Sequence, residues 1–141
     1  MDPQLKQRIF EAVQTEPFAR ALNMRLISLS TGQSMVEMDY RPELMDNIYQ
    51  RAHGGALFAL IDEAFETAAQ THGTIAVALN VNVTYIRPPE KGERLQATAC
   101  EISATRKTAT YDIKITNLEK DLIAVCQAVA YRTHRSVAFK D

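Results

Sequence analysis

One segment constrains this chain more than any other: residues 56–71 read as a single long helix, followed by His72-Gly73, where Gly can take the left-handed cap conformation. Leu57, Leu60, Ile61, Ala64 and Ala68 form a wide apolar face, and Phe58 and Phe65 widen it further. Only Ala59, Glu63, Glu66, Thr67 and Gln70 mark a polar stripe. A helix so apolar has to be nearly surrounded. The sequence after it supplies the covering: Val77, Leu79, Val81, Val83 and Tyr85 alternate with Ala78, Asn80, Asn82 and Thr84, the period of two expected of a strand, until Arg87-Pro88-Pro89 stops it. Residues 94–103, 108–116 and 122–134 repeat the pattern across turn-like connections, which predicts an antiparallel meander.

Before the helix, apolar side chains at Leu5, Ile9, Phe10 and Val13 predict a short amphipathic helix over 3–13, with another turn over 18–22. Residues 26–29 and 35–40 read as a hairpin joined across Thr31-Gly32-Gln33. A loop over 43–52 then leads to His53-Gly54-Gly55. One long helix among five to six strands is an α+β arrangement, a central helix wrapped by a curled antiparallel sheet. At 141 residues and 46% hydrophobic content the chain is expected to form one domain over 1–141, its first 22 residues a helical segment. Sixteen Lys plus Arg balance seventeen Asp plus Glu, so no basic footprint for nucleic acid exists. No apolar stretch reaches membrane-spanning length and no leader pattern opens the chain, so a cytoplasmic location is expected, with no membrane partner. Cys100 and Cys126 are expected to be reduced core residues, and His53, His72 and His134 lack metal-ligand spacing, so no metal site is expected.

Two features do not fit a purely structural reading. On a helical period Asp62 falls in the row Phe58, Asp62, Phe65, Ala69, so a carboxylate occupies an apolar row while Glu63 belongs to the polar stripe. A buried charge without partners costs several kcal/mol, so something must hold it there, either a register-fixing partner at a subunit contact or chemistry. The helix also begins at His53-Gly54-Gly55 without a Ser, Thr, Asp or Asn cap, leaving N–H groups available to a polarised carbonyl or oxyanion. Asp62 lies about 12 Å along the axis from Gly54, too far for one helix to aim both at one carbon. Two copies packed antiparallel about a two-fold axis would unite the acid of one with the amides of the other, so an obligate homodimer is expected.

The run His53-Gly54-Gly55-Ala56-Leu57-Phe58-Ala59-Leu60-Ile61-Asp62-Glu63-Ala64-Phe65 resembles the helix motif of hotdog-fold acyl-CoA thioesterases of the phenylacetic-acid-degradation (PaaI-like) type. The similarity continues through Tyr85-Ile86-Arg87-Pro88 and Thr108-Ala109-Thr110-Tyr111-Asp112, over about residues 24–134. The resemblance implies a hotdog fold, hydrolysis of an acyl-CoA to free acid and thiol, Asp62 as the catalytic acid and Gly54 as the oxyanion amide. The family's loop asparagine falls on Asn47. His53 would orient the loop rather than move protons. Coenzyme A is then part of the substrate and no other cofactor is implied. Its phosphates would be met by Arg87, Arg106 and Lys107. The acyl group would be met by Gly55, Phe58 and Phe65. Partners are the acyl-CoA and further copies of the chain, as homodimer and homotetramer. A hotdog dehydratase and a non-catalytic acyl-CoA sensor are the competing readings. An α/β-hydrolase is excluded, since no Gly-x-Ser-x-Gly elbow occurs.

Overall fold

The computed structural model describes residues 1–138. In chain order the elements are α1 (Pro3–Thr15), α2 (Pro17–Ala21), β1 (Arg25–Ser30), β2 (Gln33–Asp39), α3 (Pro42–Met45), α4 (Gly54–Gln70), β3 (Thr74–Tyr85), β4 (Arg94–Ala104), β5 (Thr108–Asn117) and β6 (Leu122–Ser136). The six strands form one antiparallel sheet in the order β1-β2-β4-β5-β6-β3. The expected hairpin and the β4-β5-β6 meander are both present. β3 departs from a meander, because it follows α4 and joins the sheet beyond β6, at the edge opposite β1. Register shifts in β1, β3, β4 and against β6 give the local twist by which the sheet curls around α4.

The curl is held by the helix it encloses. Leu60, Ile61, Ala64 and Ala68 are fully buried against Val36, Ala97, Ala99, Ile113 and Ile115. Burying a leucine of this kind contributes about 1.5–3 kcal/mol. Small residues on both layers let the helix backbone approach the sheet, and the buried Ser34 hydroxyl donates to the Ala64 carbonyl at 2.6 Å. At the helix C-terminus Thr71 Oγ1 accepts from the Gly32 N–H at 2.8 Å, which ties the β1–β2 turn to α4. Gly73 follows with φ +77, the left-handed conformation expected of it. Both cysteines are free, Cys126 buried and Cys100 only half-buried, so the core assignment holds for the first alone.

The polar stripe is where the structure departs most from the pattern. Ala59, Glu63 and Thr67 are all buried, at 5%, 4% and 3% exposure, and only Glu66 of the five is exposed. The cover is α1 and the α1–α2 junction, whose Ile9, Ala12, Val13 and Glu16 lie over Glu63, Glu66, Thr67 and Gln70. Thr67 adapts by donating its hydroxyl to the Glu63 carbonyl at 2.8 Å. The Glu63 carboxylate has no such outlet, and its Oε1 is buried without a partner. Burial, with added repulsion from Glu16, Glu66 and Asp62, pushes Glu63 up to about 8. A folded pKa above the unfolded one means the folded chain keeps a proton that the unfolded chain gives up. The stability this brings is complete below the ordinary glutamate range and is lost as pH rises toward 8. Glu63→Gln is therefore expected to be more stable than wild type in chelator-containing buffer above pH 8, by about 2–4 kcal/mol of unfolding free energy, and so to melt at a higher temperature. Thermal melts should show the advantage vanish near pH 5.

Candidate active site

The approach to α4 is built by its own backbone. Asn47 Oδ1 accepts from the N–H groups of Tyr49 and Arg51 at 2.9 and 3.2 Å, and the Asn47 N–H donates to the Arg51 carbonyl at 2.7 Å. The Tyr40 hydroxyl donates to Asp46 at the base of this loop. His53 N–H then donates to the carbonyl of Met45 at the end of α3, at 2.7 Å. Asn47 thus shapes the loop through its oxygen, and its side-chain NH₂ is the part left to meet a ligand.

His53 is the N-cap of α4, with extended backbone and with Nδ1 accepting from the Gly55 N–H at 2.9 Å. This corrects the expectation of an uncapped helix. Accepting at Nδ1 requires a lone pair there, which in the neutral ring places the proton on Nε2. The Ala56 and Leu57 N–H groups donate to the His53 carbonyl at 3.0 and 3.4 Å. Gly55 is likewise committed to the cap. Of the first four amides, among the described residues, Gly54 N–H alone has no intrachain acceptor. One open donor at the positive end of a helix remains where several were expected.

Tyr85, at the end of β3, packs against the same residue, Gly54. Its hydroxyl donates to the Gly54 carbonyl at 2.9 Å, and its ring packs so closely that a Cβ on Gly54 would lie 3.2 Å from Cζ. No sequence pattern singles this tyrosine out as a neighbour of the helix entry. Its signal was only its place at the last step of an alternating strand, where nothing marks a contact with a helix 31 residues away.

Asp62 is half-buried and lines a cleft of about 250 Å³ with Phe65, Glu66, Ala69, Ala76 and Val77. Desolvation raises its pKa, and no hydrogen bond or ion pair within the described residues offsets that rise. The cleft borders β3, whose outer edge pairs with nothing among the described residues and whose Val77 and Leu79 are 49% and 60% exposed. The row around Asp62 is less uniform than its spacing suggested. Phe65 and Ala69 are buried, with Phe65 edge-on to Tyr111 at 5.3 Å, whereas Phe58 is exposed and lies outside the cleft.

The proposed phosphate contacts do not cluster within the chain. Arg87 follows β3 near the Gly54 end and pairs with Asp121 at 3.0 Å. Arg106 and Lys107 are exposed in the β4–β5 turn, beside Arg132, which pairs with Ala76 at the other end of β3. Asp62 and Gly54 are separated in the same way, one by the start of β3 and one by its end.

A central helix wrapped by a six-stranded, curled and unclosed antiparallel sheet is the hotdog fold. The solved structure of the PaaI protein from the Escherichia coli phenylacetic acid degradation operon matches it with a TM-score of 0.90, at 30% identity over 96% of this chain and 97% of that one. The TT0310 protein of Thermus thermophilus matches with a TM-score of 0.79, at 36% identity over 84% and 98%. In sequence, the acyl-coenzyme A thioesterase PaaI of E. coli is 34% identical over 114 residues, 81% of each chain. The thioesterase superfamily profile matches residues 49–124, from the loop before His53 through β6's first residues. The chain belongs to the thioesterase superfamily and is a thioester hydrolase of the PaaI-like type.

Proposed function

We propose that this chain hydrolyses acyl-CoA thioesters at composite sites, two per homodimer, each formed by Asp62 of one protomer and the Gly54 N–H of its partner. The observation that carries the reading is Asp62 itself, an unpaired, half-buried carboxylate beside a free strand edge. A sensor gains nothing from such a group, because a carboxylate repels the electron-rich carbonyl oxygen and sulfur of a thioester. The name of the E. coli relative supports coenzyme A as the thiol.

The dimer follows from the edge. β3 is 12 residues long, and an exposed edge of that length pairs readily with its own copy. Antiparallel pairing about an axis near Val81, midway between Val77 and Tyr85, brings the Asp62 end of one protomer to the Gly54 end of the other. The same operation brings Arg87 toward the partner's β4–β5 turn with Arg106 and Lys107, where a phosphate-bearing substrate needs cations. Pairing of such dimers into a homotetramer completes the proposed assembly, and the two free cysteines suit a cytoplasmic setting.

In the proposed reaction the Gly54 N–H polarises the thioester carbonyl and stabilises its developing oxyanion. Asp62 either attacks the carbonyl carbon, giving a mixed anhydride that water then opens, or takes the proton of the attacking water. Both routes consume one water, break the C–S bond and release the acid and the thiol. Neither requires a cofactor or metal. Asn47, through its Oδ1, and His53 hold the loop and the helix entry in place and the Asn47 NH₂ is left to meet the substrate, while Gly55, Phe58 and Phe65 border the acyl end.

Release of free thiol from a panel of acyl-CoAs tests this reading. Wild type is expected to turn over at least one member with saturation kinetics. Saturable binding without thiol release would favour the sensor, and enoyl formation from a β-hydroxyacyl-CoA without thiol release would favour the dehydratase.

A further inference from the structure

Three acids behind Asp62 take no part in this chemistry. Glu16 sits at the junction of α1 and α2, and Glu63 and Glu66 lie one turn apart on α4. One carboxylate oxygen from each falls within 4.8 Å of the others. They surround a cavity of about 40 Å³, walled on the apolar side by Ile9 and Val13. Glu63 is only 4% exposed, lines this cavity, and has its Oε1 buried without a partner. Among the described residues, none of the ion pairs involves any of the three acids. Asp62, next in the chain, adds a further negative charge. The fold therefore gathers carboxyl groups and, among the described residues, brings no cationic side chain to pair with them.

We propose that Glu16, Glu63 and Glu66 form a site for a hard divalent cation, of the Ca²⁺, Mg²⁺ or Mn²⁺ type, which fastens the α1–α2 junction to α4. The donor set is oxygen only, with no thiolate or imidazole, and that is the chemistry such ions prefer. The cavity is large enough for an ion, since a single water needs about 10–15 Å³. Glu66 is exposed and opens the site to solvent, so an ion can arrive with part of its hydration shell. Glu66 also lines the Asp62 cleft, so the ion would lie directly behind the reactive face of the helix.

The test uses the full chain, stripped with EDTA and returned to chelator-free buffer near neutral pH. Mn²⁺ binding is followed by loss of the free-ion electron paramagnetic resonance signal, and Ca²⁺ and Mg²⁺ by thermal unfolding. Wild type is expected to bind one ion per chain, with a melting temperature that rises with ion concentration. Glu63→Gln is expected to weaken binding by about tenfold or more and to abolish the rise. Glu16→Gln, at a half-exposed position outside α4, provides the same readout should the first variant fold poorly. Absence of saturable binding by wild type, binding that survives both substitutions, or a melting temperature unchanged by all three ions would overturn the site. The last result would assign the cluster to a shared proton.

Discussion

Asp62→Asn is expected to lower kcat for thioester hydrolysis by about 10²- to 10⁴-fold, the range found when a positioned acid or base is removed. KM should change little, because the variant keeps the shape of the cleft and removes only a charge. Stability provides the complementary readout. Desolvation raises the Asp62 pKa and no partner among the described residues repays it, so Asn at this position should leave the melting temperature equal or higher. A purely structural Asp62, fixing register through a partner's cation or amide, would give the reverse: a less stable dimer with turnover intact. Measuring kcat, KM and thermal midpoint on one preparation separates the two.

Gly54→Pro is expected to lower kcat by about 10²- to 10³-fold, the usual effect of losing one oxyanion donor. Most substitutions cannot remove a backbone N–H, but Gly54 is the first residue of α4, where proline's fixed φ and missing N–H are tolerated. The preceding His53 already has the extended backbone that proline requires of its neighbour, at φ −64 and ψ 133. Crowding against Tyr85 is the competing explanation for any loss, and Gly54→Ala controls for it. That variant places the same Cβ 3.2 Å from the tyrosine ring but keeps the N–H, so it should lose much less activity than the proline variant. Equal losses would mean that packing against Tyr85 accounts for the effect and the amide does not.

How much was legible in the sequence depended on the range of the interactions. The alternation of Val77, Leu79, Val81, Val83 and Tyr85, and the apolar faces of α4, are local, and the elements follow them closely. β3 begins three residues earlier than its alternation implied, at Thr74, and the short α3 was hidden in a segment expected to be loop. Asp62 stood out because a carboxylate in an apolar row violates a local pattern. Glu63 did not, because its burial is the work of α1 and Glu16, 47 positions away, whose packing over α4 no period reveals. The His53 cap escaped notice for a chemical reason, since an imidazole nitrogen in place of the usual hydroxyl or carboxylate accepts the Gly55 N–H. Tyr85 was missed because its hydrogen bond to Gly54 joins the last residue of a strand to the first of a helix.

In the proposed dimer neither protomer holds a complete site, and subunit complementation is the decisive assay of that arrangement. Asp62→Asn and Gly54→Pro, each inactive alone, are unfolded together, refolded and assayed for thiol release. Random pairing makes half the dimers hybrids, and in each hybrid one site joins an intact Asp62 to an intact Gly54, so activity should return to about a quarter of wild type. A mixture that stays as inactive as its parents, although hybrid dimers are demonstrably present, would contradict the composite site.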